Sequence, residues 1–125
     1  MRVVTSANIG RHLQSSHRLS AVDAPPETRR VANVTLYPQL AAVTVDGAPL
    51  QFSPKEFALL KTLFEEPAAV VSRERCRTAL GGIAGWKSER LLSVFIYALR
   101  MKLRAAGAMV EVATVRGRGY VLRAG

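Results

Sequence analysis

Arg90, Ser93, Tyr97, Arg100 and Arg104 recur at alternating steps of three and four residues, and Arg116-Gly117-Arg118-Gly119 follows shortly after. On an α-helix the first five share one face. Guanidinium heads and hydroxyls that project together hydrogen-bond phosphates and base edges, and a helix fits the width of a DNA major groove. The second group reads as a hairpin tip: glycine permits the tight turn, but the residues between are arginines where turns usually carry Asn or Asp. An arginine on a narrow loop suits the minor groove, whose negative potential attracts it. An amphipathic helix with solvated arginines, and a hairpin with solvated charge, would give the same pattern. Two basic elements adjacent in sequence, preceded by a short helix, favour a helix-turn-helix followed by a wing.

Nucleophilic and metal chemistry lack their residues. Cys76 is the one cysteine, and His12 and His17 are the two histidines, too few for a zinc site of the Cys/His type. Cys76 has no histidine or aspartate beside it to activate the thiol, so it reads as a small core hydrophobe. One cysteine also excludes a disulfide scaffold and suits a reducing compartment. Arg116-Gly117-Arg118-Gly119 lacks the lysine of a phosphate-binding loop and precedes a strand instead of a helix. No enzymatic activity, cofactor or metal is expected.

The 125 residues carry 18 Lys+Arg against 9 Asp+Glu, a formal charge of +9, and 49% of them are apolar. That supports one domain with its own core and a polyanionic partner. Charge is uneven: eight cations face two acids between Arg73 and Arg104, whereas two face four between Val31 and Ser72. The binding face is therefore sought in the second half. Met1-Arg2-Val3-Val4 opens no apolar signal core, and no apolar run approaches the roughly 18 residues of a membrane span. The expectation is a soluble cytoplasmic, nucleoid-associated protein with no membrane partner.

The positioning elements follow from local signals. Residues 1–30, with Ser15-Ser16 and Pro25-Pro26, read as an N-terminal arm and linker, and 31–125 as the domain. Strands are expected at 32–36, 41–45 and 49–52, with Tyr37-Pro38 and Asp46-Gly47 as turns. Ser53-Pro54-Lys55-Glu56 is a helix start with a capping box, and Pro67 stops that helix near Glu66. Ser72 caps a short helix over 73–80. A loop over 82–87 around Trp86 leads to a third helix from Ser88 to about Ala106, with Gly107 as its left-handed C-terminal cap. In that helix Leu92, Ile96, Leu99 and Leu103 form the buried stripe. Strands at 109–115 and 120–123 flank the arginine–glycine tip. The fold class is α+β: a winged helix-turn-helix with a small N-terminal antiparallel sheet, three helices and a C-terminal β-hairpin wing.

From about Val31 to Leu122 the chain resembles the OmpR/PhoB-type winged-helix domain, the DNA-binding output module of bacterial two-component response regulators. The resemblance is carried by Leu50-Gln51-Phe52-Ser53-Pro54-Lys55-Glu56-Phe57-Ala58-Leu59-Leu60, Val70-Val71-Ser72-Arg73-Glu74, Leu99-Arg100-Met101-Lys102-Leu103 and Thr114-Val115-Arg116-Gly117-Arg118-Gly119-Tyr120. It implies a recognition helix over 88–103, with Arg90 and Arg100 matching family arginines that touch DNA. Thr114 matches a threonine that contacts a phosphate, and Arg116 the wing arginine that enters the minor groove. The loop 81–87, with Gly82, Trp86 and Lys87, matches the place where such proteins touch RNA polymerase; a packed indole is the other reading of Trp86. Double-stranded DNA, RNA polymerase and a second copy of the chain on DNA are the implied partners. The expected DNA-binding residues are Arg73, Lys87, Arg90, Ser93, Val94, Tyr97, Arg100, Arg104, Thr114, Arg116 and Arg118.

Two departures from the family pattern shape the expectation. Where the family's recognition helix has Asp, an apolar residue, His and a pair of arginines, this chain has Ser93, Phe95, Tyr97 and Ala98 among those places. Guanine readout by a bidentate arginine is left to Arg100 or Arg90, with Leu91, Val94 and Phe95 as an apolar flank for thymine methyls or for a protein. Residues 1–30 are also too few for a phosphoacceptor receiver, and Ser6, Ala7 and Asn8 stand where its acidic pair would be. Regulation by phosphorelay is not expected, and the arm could instead pair two chains. The competing function is a protein-interaction adaptor or anti-regulator that grips RNA polymerase or another regulator through the same fold, favoured by Leu91, Phe95, Tyr97 and Ala98. An RNA-binding role is weaker, because only eight aromatic residues are available for stacking.

Overall fold

The structure is a computed structural model that describes residues 27–81 and 86–125, and for 86–88 the backbone alone. The arm expected at 1–30 lies outside the described residues except for Glu27 to Arg30. Four short strands open the domain: β1 (Arg29–Val31), β2 (Val34–Tyr37), β3 (Ala42–Val45) and β4 (Ala48–Leu50). They form an antiparallel meander in chain order. The strand expected at 32–36 is β2, starting at Val34, and β1 is an additional strand that begins at Arg29, within the stretch expected to be linker. Val31 pairs with Val34, so Ala32-Asn33 is a two-residue turn, with Ala32 at φ +52°. Neither residue is a glycine, and what holds the turn is tertiary: the Asn33 side chain bonds to atoms more than seventy positions away. Asp46-Gly47 turns between β3 and β4 as expected.

Three helices follow: α1 (Pro54–Glu65), α2 (Arg73–Ala79) and α3 (Trp86–Ala105). At α1 the capping box is complete, since the Ser53 hydroxyl accepts from the Glu56 N–H (3.2 Å) and the Glu56 carboxylate accepts from the Ser53 N–H (2.8 Å). Ser72 caps α2 by accepting from the Arg75 N–H at 3.1 Å. The third helix begins at Trp86, two residues before the expected Ser88, because nothing in Trp86-Lys87 opposes helix and Glu89 still falls within its first turn. At its far end Gly107 is left-handed at φ +75°, and the Ala108 N–H donates to the Leu103 carbonyl at 2.9 Å.

The chain closes with β6 (Val110–Val115) and β7 (Gly119–Ala124), an antiparallel hairpin. A two-residue strand, β5 (Val71–Ser72), pairs with β7 to make a second sheet of order β5-β7-β6. Two residues carry no periodicity, so this strand has no sequence signature. The core lies between the two sheets and the helices: Leu59, Leu60, Leu63 and Phe64 of α1, Leu92 and Leu99 of α3, and Val34, Leu36, Val43 and Leu122 of the strands are fully buried. Burying one such side chain contributes about 1.5–3 kcal/mol, so the orientation of α3 is set by its apolar stripe.

Candidate nucleic-acid interface

Helix α3 is held at three places. Its stripe of Leu92, Ile96, Leu99 and Leu103 is at most 2% exposed and packs toward α1, α2 and β6. Near its C-terminus Lys102 pairs with Glu56 at 2.6 Å, donates to the Gln51 carbonyl at 3.3 Å and lies over the Phe52 ring. Past its end, Asn33 donates to the Gly107 carbonyl (3.1 Å) and to Asp46 (2.9 Å) and accepts from the Met109 N–H (2.7 Å). The turn of the first sheet is thereby tied to the exit of the helix. Buried polar groups persist only when paired in this way.

The outward face of α3 differs from the expected one in its arginines. Arg90 and Arg104 are exposed, as are Ser93, Val94 (57%), Tyr97 (64%) and Met101 (42%). Arg100 is half-buried and turned onto the hairpin: its Nε donates to the Val112 carbonyl at 2.7 Å and its Nη2 to the Thr114 hydroxyl at 2.8 Å. It links the helix to the wing instead of standing free for a base. Thr114 is exposed and two residues short of Arg116. At the tip the Arg118 N–H donates to the Val115 carbonyl at 2.9 Å, closing the turn. Arg116 and Arg118 are both exposed and make no ion pair among the described residues.

The arginines of α2 are occupied by acids. Arg73 and Arg77 both pair with Glu89 at the start of α3, the first at 2.9 Å, and the Glu89 hydrogen bond raises the Arg73 pKa. Arg75 pairs with Glu65 and Glu66 at 3.0 and 3.1 Å. Arg73, expected on the DNA face, thus carries a neutralising partner. Phe95 is half-buried against the core, which removes it from the expected apolar flank; Met101 takes up that surface. Sequence reasoning missed Met101, although Val94, Tyr97 and Met101 stand at helical spacing. Gly82 and the side chains of Trp86 and Lys87, the expected polymerase-contact residues, lie outside the described residues.

Nothing near Cys76 gives it chemistry. It is fully buried, and burial pushes its thiol up to about 11 despite the surrounding arginines, which keeps it a thiol at neutral pH. Among the described residues no cluster of His, Cys, Asp or Glu could hold a metal ion. No helix among them is long and apolar enough to cross a membrane.

A three-helix core, an outward-facing third helix and a basic hairpin beside it define a winged helix-turn-helix of the DNA-binding, OmpR/PhoB type. The family is explicit in the comparisons: residues 47–122 match the model described as transcriptional regulatory protein, C terminal, and the chain belongs to that family. The chain is 31% identical over 119 residues to the uncharacterized transcriptional regulatory protein YvcP of Bacillus subtilis, covering 94% of this chain and 50% of that protein. It spans about half the length of the curated relatives it matches. Its fold is similar to the DNA-binding domain of CpxR from E. coli (TM-score 0.66, 29% identity, 78% of this chain and 96% of that one). It is also similar to the Klebsiella pneumoniae RstA DNA-binding domain in complex with the RstA box (TM-score 0.67, 26% identity, 78% and 97%).

Proposed function

We propose that this chain regulates transcription by binding duplex DNA with α3 in the major groove and the β6–β7 wing in the minor groove, Arg116 being the inserted residue. The observation that carries the reading is the Arg100 bridge: one side chain bonds the outward helix to the strand that bears Thr114, two residues before Arg116. Helix and wing can then meet adjacent grooves as one rigid unit. Arg90, Arg104 and Arg118, all exposed, supply phosphate contacts, and Ser93, Val94 and Tyr97 face the bases. The RstA domain, whose structure is with its DNA box, supports the same use of this fold. Nothing in the reading waits on phosphorylation of an aspartate within these 125 residues.

Gel-shift titrations against salt test it. Three exposed arginines on phosphates give a slope of log affinity against log salt near −3, or about a 40-fold loss between 50 and 200 mM. A flat titration overturns the proposal. Arg116→Ala should cost on the order of 1–3 kcal/mol of binding, and unchanged affinity removes its minor-groove role.

One observation favours a second reading, an adaptor that binds protein: Val94, Tyr97 and Met101 expose apolar surface on the same helix, as protein-binding faces do. RNA polymerase, met through Gly82, Trp86 and Lys87, is the proposed protein partner in either reading, and two copies on neighbouring DNA sites the proposed assembly. Capture of polymerase subunits after nuclease treatment, with no measurable DNA affinity, would favour the adaptor.

A further inference from the structure

Val94, Tyr97 and Met101 lie at 3-4 spacing on α3 and are 57%, 64% and 42% exposed, which makes them most of the large apolar surface that the described residues leave open. Arg90 and Arg104 flank this ridge on the same helix, and Arg116 and Arg118 stand on the adjoining wing. A polyanion is therefore the occupant that its charge surroundings favour. With Arg90 and Arg104 at its ends assigned to phosphates, the middle of the ridge carries no fork of donors. Guanine is read by a bidentate arginine or lysine, yet Arg100 is committed to the Val112 carbonyl and to Thr114, and Lys102 to Glu56 and Gln51. Between Arg90 and Arg104 the remaining exposed polar heads are the hydroxyls of Ser93 and Tyr97, each able to make single bonds that discriminate poorly. The feature of a base edge that apolar side chains distinguish is the C5-methyl group of thymine.

Resting on the DNA-binding reading above, we infer that Val94 and Tyr97 read pyrimidine C5-methyl groups in the major groove, so that this domain prefers thymine-bearing sites by methyl contact more than by hydrogen bonds to guanine. The probe is the tightest duplex selected from a random pool, synthesised with either thymidine or deoxyuridine. The exchange deletes the methyls and leaves the hydrogen-bonding edges and the charge unaltered. Each lost contact is worth about fourfold, so two facing methyls give about a fifteenfold weaker deoxyuridine duplex, with the salt slope unchanged. Val94→Ala combined with Tyr97→Ala, at positions exposed in the folded domain, should bind both duplexes alike. Equal, salt-dependent affinity of the wild type for the two duplexes overturns the methyl readout and leaves DNA binding standing. A thymidine preference that persists in the double variant also overturns it, because the difference would then come from the DNA itself. Binding of neither duplex overturns the DNA reading beneath it.

Discussion

Gly117 and Gly119 sit two residues apart in the wing, yet replacing each by alanine should have very different consequences. At Gly117, φ is +74° and a built Cβ meets nothing within 4 Å. Gly117→Ala therefore carries only the left-handed penalty, about 1–2 kcal/mol. At Gly119 the Cβ would lie 2.0 Å from the Val71 carbonyl oxygen and 3.0 Å from the Ser72 Cα, both backbone atoms that no rotamer change can move. Relief requires β5 to leave β7, losing the Val71–Tyr120 and Ser72–Gly119 pairing and displacing the Ser72 cap of α2. Overpacking against rigid backbone costs about 1–3 kcal/mol; with the lost ladder bonds, each about 1 kcal/mol, the total is about 3–5 kcal/mol. At about 4–8 °C of Tm per kcal/mol for a domain this size, Gly119→Ala should melt about 12–40 °C below wild type by far-UV circular dichroism, and Gly117→Ala about 4–16 °C below, with the Gly119→Ala shift at least about twice the other. Equal shifts for the two variants, or a Gly119→Ala shift of a few degrees, would refute the close approach of β5 to the wing.

Asn33→Ala strips the Gly107 carbonyl and the Met109 N–H of their partner and should cost about 2–4 kcal/mol in urea unfolding; a loss below 1 kcal/mol would mean the tie to the end of α3 is not formed in solution. Glu56 titrates below its ordinary 4.5: burial pulls it upward, but hydrogen bonds from Lys102 and Ser53 and the Lys102 charge outweigh burial. A depressed folded-state pKa contributes stability that is present above 4.5 and lost as the pH falls through the folded value. Glu56→Gln should therefore lower stability by about 1–3 kcal/mol at pH 7 and flatten the decline below pH 4.5, and a parallel decline in both proteins would count against the pair. Cys76, pushed up to about 11, should resist iodoacetamide at pH 8 in the folded protein and react once urea unfolds it; rapid labelling of the native protein would contradict its burial.

What was legible in the sequence was whatever depends on neighbours within a turn or two. Ser53-Pro54-Lys55-Glu56 announces a capped helix because donor and acceptor are three residues apart, and Leu92, Ile96, Leu99 and Leu103 announce a buried stripe by their period alone. Several of the misses lie where a partner is distant. Strand β5 exists because Tyr120 and Gly119 arrive beside Val71 and Ser72, which nothing in two residues can signal. Ala32-Asn33 turns without glycine because Met109 and Gly107 receive the Asn33 side chain. A helical wheel groups Arg100 with Arg90 and Arg104, but it cannot say that a long side chain at the edge of that face will reach across to Val112 and Thr114.

The same distinction governs the charge. The eight cations against two acids between Arg73 and Arg104 place the binding face in the second half of the chain, and the fold sorts those cations into two groups. Arg73 and Arg77 converge on Glu89, Arg75 on Glu65 and Glu66, and Lys102 on Glu56. The exposed arginine pairs among these contribute little stability, about 0–1 kcal/mol each, unlike Lys102 with the buried Glu56. Their larger effect is to cancel the field of α2, so that it offers little to a phosphate backbone. The exposed arginines outside those pairs are Arg104 on the outer edge of α3 and Arg116 and Arg118 at the wing tip, with Arg90 exposed near the start of the helix, and positive potential gathers there. Because Arg100 locks those two elements together, that potential keeps a fixed shape. In the proposed complex, a duplex that meets the helix meets the wing in the same geometry. On the DNA-binding mode proposed above, docking two prearranged elements avoids the entropy of ordering them separately, which offsets the small number of base-reading donors.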